Sequence, residues 1–444
     1  MTAEPFGYKK ELSRVLTVTD LVVYGMTFMI PVAPFIVFGF VWSNARGMIA
    51  LAYLIGLVGM SFTAMSYATM SRAFPLAGSV YSYVQRGLHE FAGFLSGWLI
   101  LLDYVLVPSL IYIFSALALR PLFPATPQWI WFLGFICFNS VVNTMGIQLT
   151  SRINRYILAI QLFAVAIFCG LALIALYRGQ GSGGLTLNPM YNPQVFSAGA
   201  VVGATSIAVL SFLGFDGIST LSEESCDGRD SVARATLLTL ALTGTIFIMQ
   251  TWIAADLAQG MHFSSLETAF YEVAERAGGS ALRLITIVAV VVALAIGNAM
   301  VAQAAVSRIL FAMARDRKLP GVLAKIHPVF KTPYVSTLLV SALSLFICLA
   351  FSTHIEDLSR LVNFGALCSF LLLHLSVINH GFLRHRNREI IRHLLLPLAG
   401  FLVVGYVLYE MDSTAKILGA CWIAFGSIYY RLLRFSASAS NEAE

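Results

Sequence analysis

GMTFMIPVAPF, residues 25–35, and SFLGFDGISTLSEES, residues 211–225, decide how this chain folds. Each lies in an apolar segment long enough to cross a bilayer, and each interrupts it. Pro31 and Pro34 withdraw two backbone donors from the first segment, and a helix cannot run straight through them. In the second, Gly214 and Gly217 flank Asp216. A helix in hydrocarbon can abandon its internal hydrogen bonds only where protein or a polar cavity satisfies the freed groups. A carboxylate midway along such a helix is costly unless it meets water, a partner or a ligand. One interruption alone would be an ordinary proline kink. Two, in corresponding positions of two halves, are the sequence pointer to a substrate site between discontinuous helices.

Composition agrees with a membrane protein. Hydrophobic residues make up 58% of the 444 and charged residues 11%, against about 25% charged in soluble domains. Apolar stretches of about 20 residues, enough to span as helices, run approximately over 17–40, 48–70, 92–119, 128–147, 153–177 and 197–221. A second set covers approximately 233–256, 281–311, 335–353, 358–382, 394–410 and 414–433. The expected fold class is all-α integral membrane, with 12 transmembrane helices. The first stretch is too long for a signal-peptide core and is read as a retained span.

Scored over alternate loops, one side collects twenty-one Lys and Arg and the other seven, which together are the 28 of the chain. The bias places both termini in the cytoplasm. The net charge of +6 then reflects topology and contact with membrane lipid head groups, and no nucleic acid is expected as a partner. Cys137, Cys169, Cys348, Cys368 and Cys421 fall in apolar segments and Cys226 in a loop, without metal-like spacing or a disulfide framework. His374 and His380 have no Cys, Asp or Glu cluster near them in sequence, so no metal site is expected. The GQGSGG run at residues 179–184 reads as a linker, because no strand precedes it and no Lys-Ser/Thr pair follows. No nucleophile elbow, His cluster or paired metal carboxylates point to an enzyme, and no cofactor is implied.

FPLAGSVYSYVQRG from Phe74, GWLILLDYVLVP from Gly97, the 211–225 stretch, SRILFAMARDRKLP from Ser307, HPVFKTP from His327, NFGAL from Asn363 and LSVINH from Leu375 follow one another in an order and spacing that span most of the chain. On these residues the chain resembles the amino acid, polyamine and organocation transporter superfamily, and is most similar to bacterial putrescine importers. The resemblance implies two inverted five-helix repeats, residues 17–177 and 197–382. It adds helices 11 and 12 at 394–433, an N-terminal tail at 1–16 and a disordered tail at 434–444. It implies a multi-pass protein of the cytoplasmic (inner) membrane. Broken helices 1 and 6 would form the site near the midplane, and transport would proceed by alternating access.

Amino acid carriers of the superfamily usually place a Gly-Ser-Gly-like triplet in the first break, whose amides receive the substrate carboxylate. Here the aligned residues are Pro31, Val32 and Ala33. Pro31 has no N–H to give and Val32 crowds the approach, while freed carbonyls there could still accept from an ammonium. The departure favours an amine over an amino acid, with an amino acid permease or amino acid/amine exchanger as the alternative.

A small cationic substrate needs acceptors, anions or aromatic faces. Asp103 and Tyr104 match the LLDY of the putrescine importers, and Tyr104, Pro108 and Tyr112 recur on one helical face. Phe212, Gly214, Phe215 and Asp216 occupy the sixth-helix break, offering a cation–π wall and a counter-charge. Asp103 and Asp216 are thus expected to bracket the substrate, with Tyr104 and Phe212 lining its path. Asp103 would equally serve to bond a neighbouring helix, Asp216 to hold the broken helix together, and Tyr112 to pack. Glu223 and Glu224 are expected to pair with loop arginines or form an inner gate, and Arg308 and Arg315 to anchor at the membrane interface.

Some proton-coupled relatives carry a lysine in the fifth span, where this chain has Gln161. Thr27 and Ser307 are isolated candidates for a sodium site. A co-transported proton, carried by a titrating aspartate, or the membrane potential is the expected driving force.

Overall fold

The first helix begins with a reciprocal cap: the Thr17 hydroxyl accepts the Asp20 amide at 3.3 Å, and the Asp20 carboxylate accepts the Thr17 amide at 3.1 Å. Ser151 and Arg155 also donate to Asp20, at 2.8 and 2.5 Å, tying this start to the fifth span. Helix α1, Val18–Met29, ends at Ile30, whose φ of 55° is unusual for a β-branched residue. After a turn through Pro31 and Val32 the chain resumes as α2, Pro34–Asn44, bent by 53° from α1. The two prolines remove the donors that would have met the carbonyls of Thr27 and Ile30; the Ala33 amide reaches the Ile30 oxygen instead, at 2.7 Å.

The computed structural model describes residues 12–119, 123–228, 230–353, 355–385, 389–411 and 413–441; Met1 to Glu11 of the expected N-terminal tail and residues 442–444 lie outside them. Next come α3 (Ile49–Ala73), the short α4 (Ser79–Gly87), α5 (Glu90–Leu119), α6 (Gln128–Thr144) and α7 (Ile147–Tyr177). The sixth span breaks as the first does. Its α8, Ala198–Ala208, tightens to a 3₁₀ stretch, Val209–Phe212, passes extended through Leu213, and resumes as a second 3₁₀ stretch, Phe215–Leu221. Gly214 makes the corner at φ 117°, and a Cβ there would lie 3.0 Å from the Phe28 backbone, so the two breaks meet at a glycine that no larger residue replaces without strain.

The remaining helices are α9 (Ser231–Ala258), α10 (Ala269–Val292), α11 (Ala299–Arg315), α12 (Tyr334–Phe351), α13 (Ile355–Val377), α14 (Leu396–Glu410) and α15 (Ser413–Asn441). Gly278 and Gly279 leave helical geometry and separate a short first piece of α10 from the eighth span, which begins close to the expected residue 281. A π-turn, Ala293–Asn298, joins α10 to α11; Asn139 of α6 donates to its Ala295 carbonyl at 3.0 Å. Such π-bulges concentrate at functional positions.

All regular elements among the described residues are helical, and extended pairing is limited to a bridge between Leu16 and Ser225. Nine of their helices are long and apolar enough to cross a membrane, ten with α1 and α2 counted as one bent span. The expected twelve are not all reached: α6 is short, at 17 residues, and α15 is not among those that qualify. Helix α15 also continues through Asn441, into the stretch expected to be a disordered tail. Alternating alanines, the strongest helix formers, supply the local preference there.

Helix α5 carries the cavity wall and is gripped from two sides. A Cβ on Gly365 of α13 would fall 2.5 Å from the Leu99 carbonyl oxygen, so α13 approaches α5 at backbone distance just before Asp103. Trp98 of α5 and Trp422 of α15 stack at 4.7 Å, and each indole N–H donates to the other's carbonyl, at 3.0 and 2.9 Å.

Candidate substrate site

A cavity of about 240 Å³ lies where the two broken spans face α5. Its walls come from the first break (Phe28 to Ile30, and Ala33), from Asp103, Tyr104 and the following turns of α5, and from Leu210, Ser211, Leu213 and Gly214 of the sixth span. Asn298 of the π-turn and Asn363 of α13 complete it. Drug-sized ligands fill about 300–1,000 Å³, so this volume suits a small substrate.

The expected site residues divide into two groups. Ala33, Asp103, Tyr104 and Gly214 line the cavity. Among the described residues, none gives the Asp103 side chain a hydrogen bond, although Asp103 is only 5% exposed. Asp216, Pro31, Val32, Phe212 and Phe215 stand behind the wall. Asp216 is fully buried; its carboxylate accepts the Tyr104 hydroxyl and, at 3.2 Å, the amide of Gly214. This carboxylate therefore binds the corner of the broken helix to α5. Pro31 turns its carbonyl to Gln250 Nε2 of α9 at 2.8 Å, and Val32 is wholly buried. The Phe212 ring packs against Tyr53 and Phe247, at 6.0 and 5.3 Å, and Phe215 packs against Tyr67 and Phe370. Large apolar rings gain more from that packing than from edging a polar cavity. Tyr112 is likewise held away, its hydroxyl accepting from Asn139 at 2.9 Å.

Toward the basic face the break is sealed by ion pairs. Arg308 grips Glu224 at two points, 2.5 and 2.9 Å, with both side chains almost wholly buried. Arg315 grips Glu223 at 3.0 and 2.8 Å, and the Ala77 amide also donates to Glu223 at 3.0 Å. The partners are arginines of α11 rather than of loops, and Arg308 is a buried clamp rather than an interface anchor. Two-point pairing, plus a third bond from Arg308 to the Ala304 carbonyl at 2.8 Å, offsets the cost of burying its charge. The amides of Val15 and Leu16 both donate to the Glu224 carbonyl at 3.0 Å, adding the segment before α1 to the same seal.

Gln161 is buried in α7 with no hydrogen-bond partner for its amide among the described residues, and the Thr27 hydroxyl donates to the Asn154 carbonyl at 3.5 Å. Ser307 donates within its own helix, to the Gln303 carbonyl at 2.7 Å. His374 bonds Thr63 and Ser66 at 3.2 and 3.0 Å, and no group of metal-binding residues occurs among the described ones.

Sequence reasoning missed Asn298 and quoted Asn363 only within a motif. For Asn298 a signal existed: a lone amide in the apolar run AVVVALAIGNAM carries the same burial cost that singled out Asp216.

The amino acid permease family model matches residues 16–429. The chain belongs to that family. The low-affinity putrescine importer of Escherichia coli K12 is 31% identical over 435 residues, covering 96% of this chain and 94% of the relative. A branched-chain amino acid permease and a methylthioribose transporter of Bacillus subtilis are 24% and 26% identical, each covering 98% of this chain and 96% of its own length. This member of the family is a multi-pass membrane transporter rather than an enzyme.

Proposed function

We propose that this permease imports a polyamine of the putrescine type across the cytoplasmic (inner) membrane, by alternating access between inverted repeats, with both termini in the cytoplasm. The observation that carries the proposal is Asp103: a carboxylate at the wall of a small cavity, with neither a hydrogen-bond donor nor a cation paired to it among the described residues. Such a group in a membrane interior calls for a positively charged partner. Pro31 of the first break has no amide hydrogen for a carboxylate, while its carbonyl, behind the wall, is held by Gln250 and is not free for an ammonium.

The cavity sits on one side of the breaks and the Glu224–Arg308 and Glu223–Arg315 pairs seal the other. We read this as the outward-facing arrangement, in which release inward requires those pairs to part. The cargo's own charge, drawn by the membrane potential, or a co-transported proton supplies the drive.

The test is uptake of radiolabelled putrescine into proteoliposomes, competed by cadaverine, arginine and neutral amino acids. Diamines should compete and neutral amino acids should not. Uptake inhibited only by amino acids would replace the proposal with an amino acid permease, the activity for which the Bacillus relative is named.

A further inference from the structure

Asn298 closes the π-turn, is 4% exposed, and lines the same cavity as Asp103. Its Nδ2 donates to the Phe28 carbonyl in the first break, at 2.5 Å. A carbonyl can only accept, so this bond fixes which end of the amide is nitrogen. Among the described residues, Oδ1 has no hydrogen-bond partner. A buried acceptor in that condition is costly until a donor arrives. The carboxylate of Asp216 cannot share the task, because it does not line the cavity: it is buried behind the wall, where it accepts from the Tyr104 hydroxyl and the Gly214 amide. The cavity thus has one charged acceptor, on α5, and at its wall a neutral acceptor, itself buried, whose orientation the broken helix sets.

We infer that Asn298 is a specificity-determining residue that accepts the second ammonium of a diamine whose first ammonium sits on Asp103. This rests on the amine reading of the cavity given above and sharpens it. A monoamine satisfies Asp103 and leaves Asn298 Oδ1 unmet. An ω-amino acid brings a carboxylate against that same oxygen and is repelled. The chain therefore selects for two cationic ends with a single carboxylate, and Asn298 is what distinguishes the second end.

The experiment compares inhibition of radiolabelled putrescine uptake by unlabelled putrescine, n-butylamine and 4-aminobutanoate, in the wild type and in the Asn298→Leu and Asn298→Asp variants. Asn298→Leu should weaken putrescine about tenfold or more beyond any loss shared with n-butylamine, the scale of a lost hydrogen bond to a charged group. Asn298→Asp, close in shape, should widen the preference for putrescine over n-butylamine, and carries the test alone if the leucine variant does not fold. If both amines shift together in either variant, Asn298 only braces Phe28 and the inference is overturned. If the wild type takes up no amine, the amine reading itself has failed, which the variant ratios do not measure.

Discussion

Tyr104 donates its hydroxyl hydrogen to the carboxylate of Asp216, joining α5 to the corner of the sixth-span break. The residue before Tyr104, Asp103, lines the cavity. Two adjacent positions on one helix therefore do different work: one ties the wall together and the other lines the cavity.

Tyr104→Phe and Asp216→Asn both loosen the same tie, so each should lower uptake and weaken apparent affinity while the protein still inserts. The double variant should lose less than the sum of the two, with a coupling of about 0.5–3 kcal/mol. Uptake kinetics of the three variants measure it. Strict additivity would mean that the hydroxyl and carboxylate act independently.

Glu224→Gln leaves Arg308 charged, buried and without its carboxylate, a change that costs about 3–5 kcal/mol for a buried pair. Glu223→Gln should cost less, because Arg315 and Glu223 are more exposed, at 13% and 14% against 4% and 1% for the other pair. Thermal unfolding in detergent should rank Glu224→Gln well below Glu223→Gln. Equal melting temperatures would remove Glu224–Arg308 as the main clamp.

Much of this was legible in the sequence. The apolar lengths gave the spans, and the prolines and glycines gave the breaks, because each removes something a membrane helix needs. Which side chains face the cavity was not legible. Position along a broken helix does not fix azimuth: Phe212 and Gly214 are two residues apart, yet Phe212 packs on Tyr53 and Gly214 lines the cavity. The partners of Glu223 and Glu224 lie on α11, distant in sequence, and no local pattern points to them. Helix α6, at 17 residues, shows how length alone blurs the count of spans.

Pro31→Gly restores an amide hydrogen to the first break. Amino acids that do not inhibit putrescine uptake in the wild type should begin to do so in this variant. Competition by alanine or leucine beside their amine counterparts checks this. Unchanged discrimination would show that the missing donor does not decide against carboxylates.

Gln161 is neutral where some relatives hold a lysine, so no titrating ammonium stands at that place. A membrane potential acts on the cargo directly, at about 2.3 kcal/mol per charge per 100 mV. In proteoliposomes, an inside-negative potential without a pH gradient should drive putrescine accumulation. Accumulation only under a pH gradient would assign the drive to a co-transported proton.

Binding of radiolabelled putrescine to the purified permease, wild type against Asp103→Asn, addresses the cavity itself. The variant should fold, keep its Tyr104–Asp216 tie, and bind putrescine about tenfold or more weakly, since a charge-assisted bond is lost. Undiminished binding in Asp103→Asn would place the cationic cargo somewhere other than the meeting point of the two broken helices.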